Sequence, residues 1–246
     1  MGINRILLGM SALALLSVAC SRQSDDATGK VSFALAAEDM VKEVTRSSLS
    51  DYTTLPAAGS FNIVLTKVDG DEIYNGPLED YDASTSLKTG NYLVKASYGS
   101  VDDEGFDKPC LEGEKSFSIV GGGTTAVTVP VSLANSLVRV ECTSNFKFYY
   151  TDYSFTVKTG GGTEIPFPAD ESRAAFVDAY TISVSGTVTS QGGKTQAFSK
   201  EYTSSLSPKT CYTLKFDVSN VGGVRVTISF DDTVTDAELI DVELND

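Results

Sequence analysis

The chain has 246 residues, a net charge of −14 and neither His nor Trp. Acidity of that size repels nucleic acid and anionic bilayer surfaces, which removes both as docking partners. Without His there is no Ser-His or Cys-His nucleophile pair and no imidazole metal ligand, and without Trp the best stacking face for sugars is missing.

The first element is a leader. Arg5 is its only charge, Ile6-Leu7-Leu8 and Ala12 to Leu16 form an apolar run, and small residues precede Cys20. This is the make-up of a secretory signal over residues 1–19, and the run is shorter than the ~20 residues of a membrane span. Removing it takes away one cation and leaves side chains that sum to −15. Residues 20–29 are small, polar and acidic, as suits a flexible tether.

Strand patterning begins at Lys30, where Val31, Phe33 and Leu35 alternate with smaller or polar residues up to Ala37. Residues 38–60 read as irregular, with room for one helical turn over 38–44. From Phe61 the strands come quickly. Phe61–Val68 leads through Asp69-Gly70 to Glu72–Tyr74, and Tyr92–Tyr98 follows an acidic loop. Glu114–Val120 and Thr125–Leu133 are separated by three glycines.

The same order recurs after residue 135. Phe61-Asn-Ile-Val-Leu is echoed by Tyr153-Ser-Phe-Thr-Val, and Tyr92-Leu-Val94 by Tyr180-Thr-Ile182. Phe117 is echoed by Phe198, Val127/Val129/Val131 by Tyr212/Leu214/Phe216, and Val138-Arg-Val140 by Val224-Arg-Val226. Such spacing describes a duplicated β module. The expected fold is all-β: two tandem antiparallel β-sandwiches of the transthyretin-like kind, over residues 30–135 and 136–246. A single large sandwich with chance echoes is the other arrangement compatible with the pattern.

Three cysteines follow Cys20, an odd set. On alternation Cys142 joins the apolar face of Val138 and Val140, which makes it a small buried hydrophobe. Cys211 points away from Tyr212, Leu214 and Phe216, so a bridge between Cys142 and Cys211 is disfavoured by direction. The aromatic run Phe146 to Tyr153 reads as a strand with Phe146, Phe148 and Tyr150 on one face, filling core at the junction of the two modules. Carboxylates gather at Asp69/Asp71/Glu72, Asp102/Asp103/Glu104/Asp107 and Asp231/Asp232, without calcium-loop spacing, as solvated turns would. None has an apolar pocket to raise its pKa, so neither catalytic residues nor a metal or other cofactor are expected.

The cysteine at the end of the leader resembles a bacterial lipoprotein signal, in which Cys20 would be lipidated and become the mature N-terminus. The usual leucine three places earlier is Ser17 here, a departure that Bacteroidetes-type lipoproteins tolerate, and Asp25-Asp26 resembles their surface-export signal. The run Gly90-x-Tyr92-x-Val94-x-Ala96, followed by Phe106-x-x-Pro109-x-x-x-Gly113, resembles a family of gut Bacteroidetes lipoproteins with no assigned activity. More distantly, the layout resembles fimbrillin-like proteins. That likeness implies assembly by strand donation after a trypsin-like cut at an arginine, for which Arg46 stands in the matching place. It makes Leu239–Leu244 a candidate donor strand. Together these resemblances imply a non-catalytic, lipid-anchored outer-membrane protein exposed at the cell surface. It would act as a fimbria-like subunit, anchor or adhesin, with pilus subunits or other surface proteins as partners and the membrane met only through the lipid. The alternative is a glycan-binding surface lipoprotein that helps capture polysaccharide.

Overall fold

Alternating apolar and polar residues bury one face of a strand and wet the other, and turn residues between such runs reverse the chain. The structure, a computed structural model, describes residues 27–37, 40–41, 47–220 and 223–229. In the first half it forms β1 (Thr28–Ala37), β2 (Met40–Val41), β3 (Ser47–Ser48), β4 (Asn62–Lys67), β5 (Glu72–Pro77), β6 (Leu87–Lys88), β7 (Gly90–Tyr98), β8 (Gly105–Phe106), β9 (Leu111–Ile119) and β10 (Thr124–Leu133). The second half supplies β11 (Ser136–Cys142), helix α1 (Ser144–Tyr149), β12 (Tyr150–Thr159), β13 (Glu164–Pro168), β14 (Ala175–Val177), β15 (Ile182–Ser190), β16 (Thr195–Tyr202), β17 (Cys211–Asn220) and β18 (Gly223–Ser229). The all-β expectation holds.

Strand order repeats between the halves. The first sheet runs β5-β4-β7-β9-β10-β1-β6, with β9 and β10 joined only at Leu111–Glu112 against Ser132–Leu133. The sheet therefore folds at that corner into two facing layers. Gly113 permits the fold, because a Cβ there would collide with the Pro130 carbonyl oxygen and lie 2.9 Å from the Val131 Cα. In the second half the layers are separate sheets, β13-β12-β15-β16 and β18-β17-β11-β14-β8. The pair β1 and β10 is parallel, and so is its counterpart, β11 and β17.

One echo in the sequence does not survive as a structural equivalence. Val138-Arg139-Val140 lies on β11, parallel to β17, whereas Val224-Arg225-Val226 lies on β18, antiparallel to the same strand. The counterpart of β11 in the first half is β1, since each lies parallel to a strand late in its half. Short V-R-V segments fit any half-buried strand, so the likeness carries no pairing information.

Two apolar cores result. The first gathers Val31, Ile63, Leu65, Tyr92, Val94 and Val129, and the second Phe146, Phe155, Val157, Phe167, Leu214 and Phe216. Each such side chain contributes roughly 1.5–3 kcal/mol on burial. Leu137, Phe176 and Cys211 belong to the first core although they lie in the second half, while their neighbours Val138, Ala175 and Tyr212 face the second. The sheet holding β11, β14 and β17 is thus a wall between the cores, and strand alternation lets it serve both. At the junction Asn135 is fully buried. Its amide accepts from the Cys110 N–H at 3.2 Å and donates to the Lys108 carbonyl at 3.1 Å.

The aromatic run is where local reading and structure part. Residues 144–149 are helical, capped by the Thr143 hydroxyl, which accepts from the Phe146 N–H. Phe146 is fully buried in the second core, while Phe148 is 76% exposed. Helical spacing separates two side chains that strand spacing would have placed together.

Candidate functional site

The strand at the front of the chain is the first element to consider. From Lys30 opposite Thr124 to Ala37 opposite Val131, β1 pairs with β10. Among the described residues its other edge pairs with β6 only at Thr28 and Gly29. Val31 is fully buried, and Phe33 meets Tyr81 and Phe117 edge-on at ring distances of 5.1 and 5.9 Å. Leu35 packs against the same core. Phe33 and Leu35 stand beside Val127 and Val129 of the neighbouring strand, so β1 fills an apolar slot in the first layer pair. Parallel pairing to a distant strand gives β1 one long ladder and makes it an inserted element.

A second feature joins the halves. The connection from β7 to β9 forms a hook that reaches into the second half and adds β8 to the edge of β14, with Gly105 opposite Phe176 and Phe106 opposite Ala175. Beside it Glu104 accepts from the Thr159 hydroxyl at 2.6 Å and from the Asp178 N–H at 2.9 Å. Phe106 lies edge-on to Phe167 at 5.2 Å, and the Arg173 guanidinium sits 4.6 Å above the Phe106 ring. Arg173 also donates to Asp107 and to Glu171, each at 2.9 Å. The hydrogen bond from the Arg173 side chain, with those from the Arg173 and Ser172 N–H groups, holds the Glu171 carboxyl down at about 2.

The residues singled out in the sequence take varied places. Cys20 and Arg46 lie outside the described residues, as do Asp231, Asp232 and the segment Leu239–Leu244; Arg46 immediately precedes β3. Cys110, Cys142 and Cys211 form no disulfide. Cys142 faces the second core as its alternation implied, yet it is half-buried rather than buried and lines a cavity of about 280 Å³ beside Tyr153. Burial pushes its thiol up to about 12, and that of Cys110 to about 11, so both stay protonated at neutral pH and are poor nucleophiles. Of the acidic run at 102–107, Glu104 is a polar contact of the hook, and Asp107 is an exposed turn residue that pairs with Arg173. Among the described residues no three or more Cys, Asp or Glu gather as a metal site, and no helix is long and apolar enough to cross a membrane.

Sequence reading missed β6, β8 and β14, which have two or three residues each. The Gly90-x-Tyr92-x-Val94-x-Ala96 and Phe106-x-x-Pro109-x-x-x-Gly113 pattern did mark their surroundings. Tyr92, Val94 and Ala96 line the first core, Phe106 is the hook's aromatic contact, and Gly113 allows the sheet to turn its corner.

A family profile described as a domain of unknown function, DUF4493, matches residues 27–246. No curated protein matches the chain. Among solved structures, a candidate cell adhesion protein from Bacteroides uniformis is similar at 13% identity and a TM-score of 0.48, covering 84% of this chain and 97% of that one. A candidate cell adhesion protein from Bacteroides ovatus is similar at 12% identity and a TM-score of 0.44, over 89% and 99% of the two chains. A third, from Bacteroides thetaiotaomicron and described as a candidate polysaccharide-binding protein, has 10% identity and a TM-score of 0.44 over 82% and 96%.

Proposed function

We propose that this chain, which belongs to the DUF4493 family, is a lipid-anchored surface protein that works through protein–protein contact, with β1 as its exchangeable element. The observation that carries this reading is the seat of β1. Val31, Phe33 and Leu35 fill a slot beside β10, and the segment that follows the strand bears Arg46. Cleavage after Arg46 would separate β1 from the body that it completes. Its departure would leave the edge of β10 unpaired and an apolar slot open to water, both of which favour capture of a strand from another copy. Cys20 supplies the lipid attachment in this reading, and Leu239–Leu244 the incoming strand.

Trypsin at a low enzyme ratio tests it. The expected result is a first cut after Arg46, release of β1 and growth of oligomers seen by light scattering, with all three blocked in Arg46→Ala. A cut product that stays monomeric at high concentration overturns strand exchange. In the native cell Cys20→Ala should move the protein from the membrane fraction to the soluble exported fraction, and unchanged membrane association overturns the anchor.

A further inference from the structure

We propose that the side of the first sandwich where β9 and β10 part is an interface held closed against a second copy of this chain, with Lys115 as the residue that keeps it closed. One edge of β9 is paired with β7 throughout, from Leu111 opposite Tyr98 to Ile119 opposite Gly90. The other edge is laddered to β10 at Leu111 and Glu112, and among the described residues no further ladder continues it. Beyond that corner β9 is the last strand of its layer. An edge of this kind invites a sheet to continue from one molecule into the next.

The register shows what stands against it. Residues opposite each other on neighbouring strands share a face. Gly113 stands opposite Ala96, Lys115 opposite Val94 and Phe117 opposite Tyr92, and the three β7 residues are buried in the first core. Lys115 thus holds a core-facing position on β9, yet it is exposed. Glu112 and Glu114 take the alternate positions and face outward, where Glu114 lies 4.0 Å from Lys95 of β7. A strand added beside β9 would cover Lys115 and bury its ammonium in the row of Val94. The β9 strand of a second copy brings no counter-charge, because its own core-facing row is Leu111, Gly113, Lys115, Phe117 and Ile119. Burying a charge without a partner is costly enough to prevent that pairing.

The facing layer carries a second obstacle. β10 meets β9 through Ser132, opposite Glu112, and through the Ala134 N–H, which donates to the Cys110 carbonyl at 2.7 Å. Every second residue of a strand turns its backbone groups to the same edge, so Pro130 is next in that series, and it has no N–H to offer. Lysine and proline are both residues that blunt a sheet edge. Here they stand on the two strands that border one opening.

Light scattering on the uncut full chain tests the proposal, with every protein carrying Arg46→Ala so that association cannot follow from loss of β1. This parent should be monomeric. Lys115→Val should associate as concentration rises, its mass climbing about twofold to that of a dimer. Lys115→Thr, which also removes the charge and suits a strand, should do the same at higher concentration. Lys115→Arg should keep the parent's mass. So should Lys95→Val, which removes a lysine from the outward face of the same layer. Circular dichroism checks that each variant folds. A dimeric parent, monomeric Lys115→Val and Lys115→Thr, or equal association of Lys95→Val overturns the proposal. None of these outcomes depends on whether β1 is exchangeable.

Discussion

Glu104 accepts a hydrogen bond from the Thr159 hydroxyl at 2.6 Å, although the two residues belong to different halves of the chain. The same carboxylate takes the Asp178 N–H with its other oxygen, so one side chain closes two strand ends that share no sequence neighbourhood. Glu104→Ala removes both bonds and leaves an N–H and a hydroxyl to find water. A loss of about 1–3 kcal/mol is expected. Urea unfolding checks it through a lower midpoint at unchanged slope, and a midpoint equal to the wild type's would show that the hook is not a stabilising contact.

Gly113 has a steric reason for its place. Gly113→Ala would force β9 away from the Pro130 carbonyl where the first sheet turns its corner, at a cost of about 1–3 kcal/mol or more. Gly192→Ala is the control, because the nearest atom to a Cβ there is the Ser190 Oγ at 3.8 Å. Thermal melts of the two variants should differ by several degrees, with Gly192→Ala close to the wild type.

The Glu171–Arg173 pair makes stability depend on pH in a definite direction. The folded carboxyl titrates at about 2, below its ordinary 4.5, chiefly through the hydrogen bond from Arg173. A depressed carboxyl contributes stability that is full above the unfolded value and fades as pH falls through the folded one. Between pH 5 and pH 2 the wild type should therefore lose stability that Glu171→Gln never had. Denaturant midpoints at pH 6, 4 and 2.5 measure this, and parallel curves for the two proteins would remove the pair from the account.

Separate expression of residues 27–135 and 136–246 tests how far the halves are folding units. Each holds most of one core, so each fragment should show a β-type spectrum and a cooperative melt. Both should melt below the intact chain, because Leu137, Phe176 and Cys211 complete the first core from the second half. Mixing the fragments should recover part of the difference. Two fragments without any cooperative transition would point to one indivisible sandwich.

Asn135 shows how a residue picked as a boundary can be a structural pin. The recurrence of the strand pattern after it marked the place, and that signal says nothing of side-chain contacts. What the side chain does there depends on Lys108 and Cys110, which come from a loop more than twenty residues earlier. The same contrast separates Glu104, read as part of a solvated turn, from the two hydrogen bonds that it accepts.

Alternation at single-residue spacing determined, from the sequence alone, that Val31, Phe33 and Leu35 form one strand face and that Tyr92, Val94 and Ala96 form another. It also showed that Cys142 and Cys211 point to different sides. Those properties depend on the backbone of one strand and on the cost of wetting apolar surface, both of which a short window contains. Only the tertiary structure decided that β1 lies parallel to β10, that β8 crosses to β14, and that Glu104 joins the two halves. Each of these joins residues distant in the chain, and their free energy exists only once both partners are in place. The helix at 144–149 belongs with them. A short aromatic run suits strand or helix equally, and the packing of Phe146 against Phe155 and Phe216 goes with the helix.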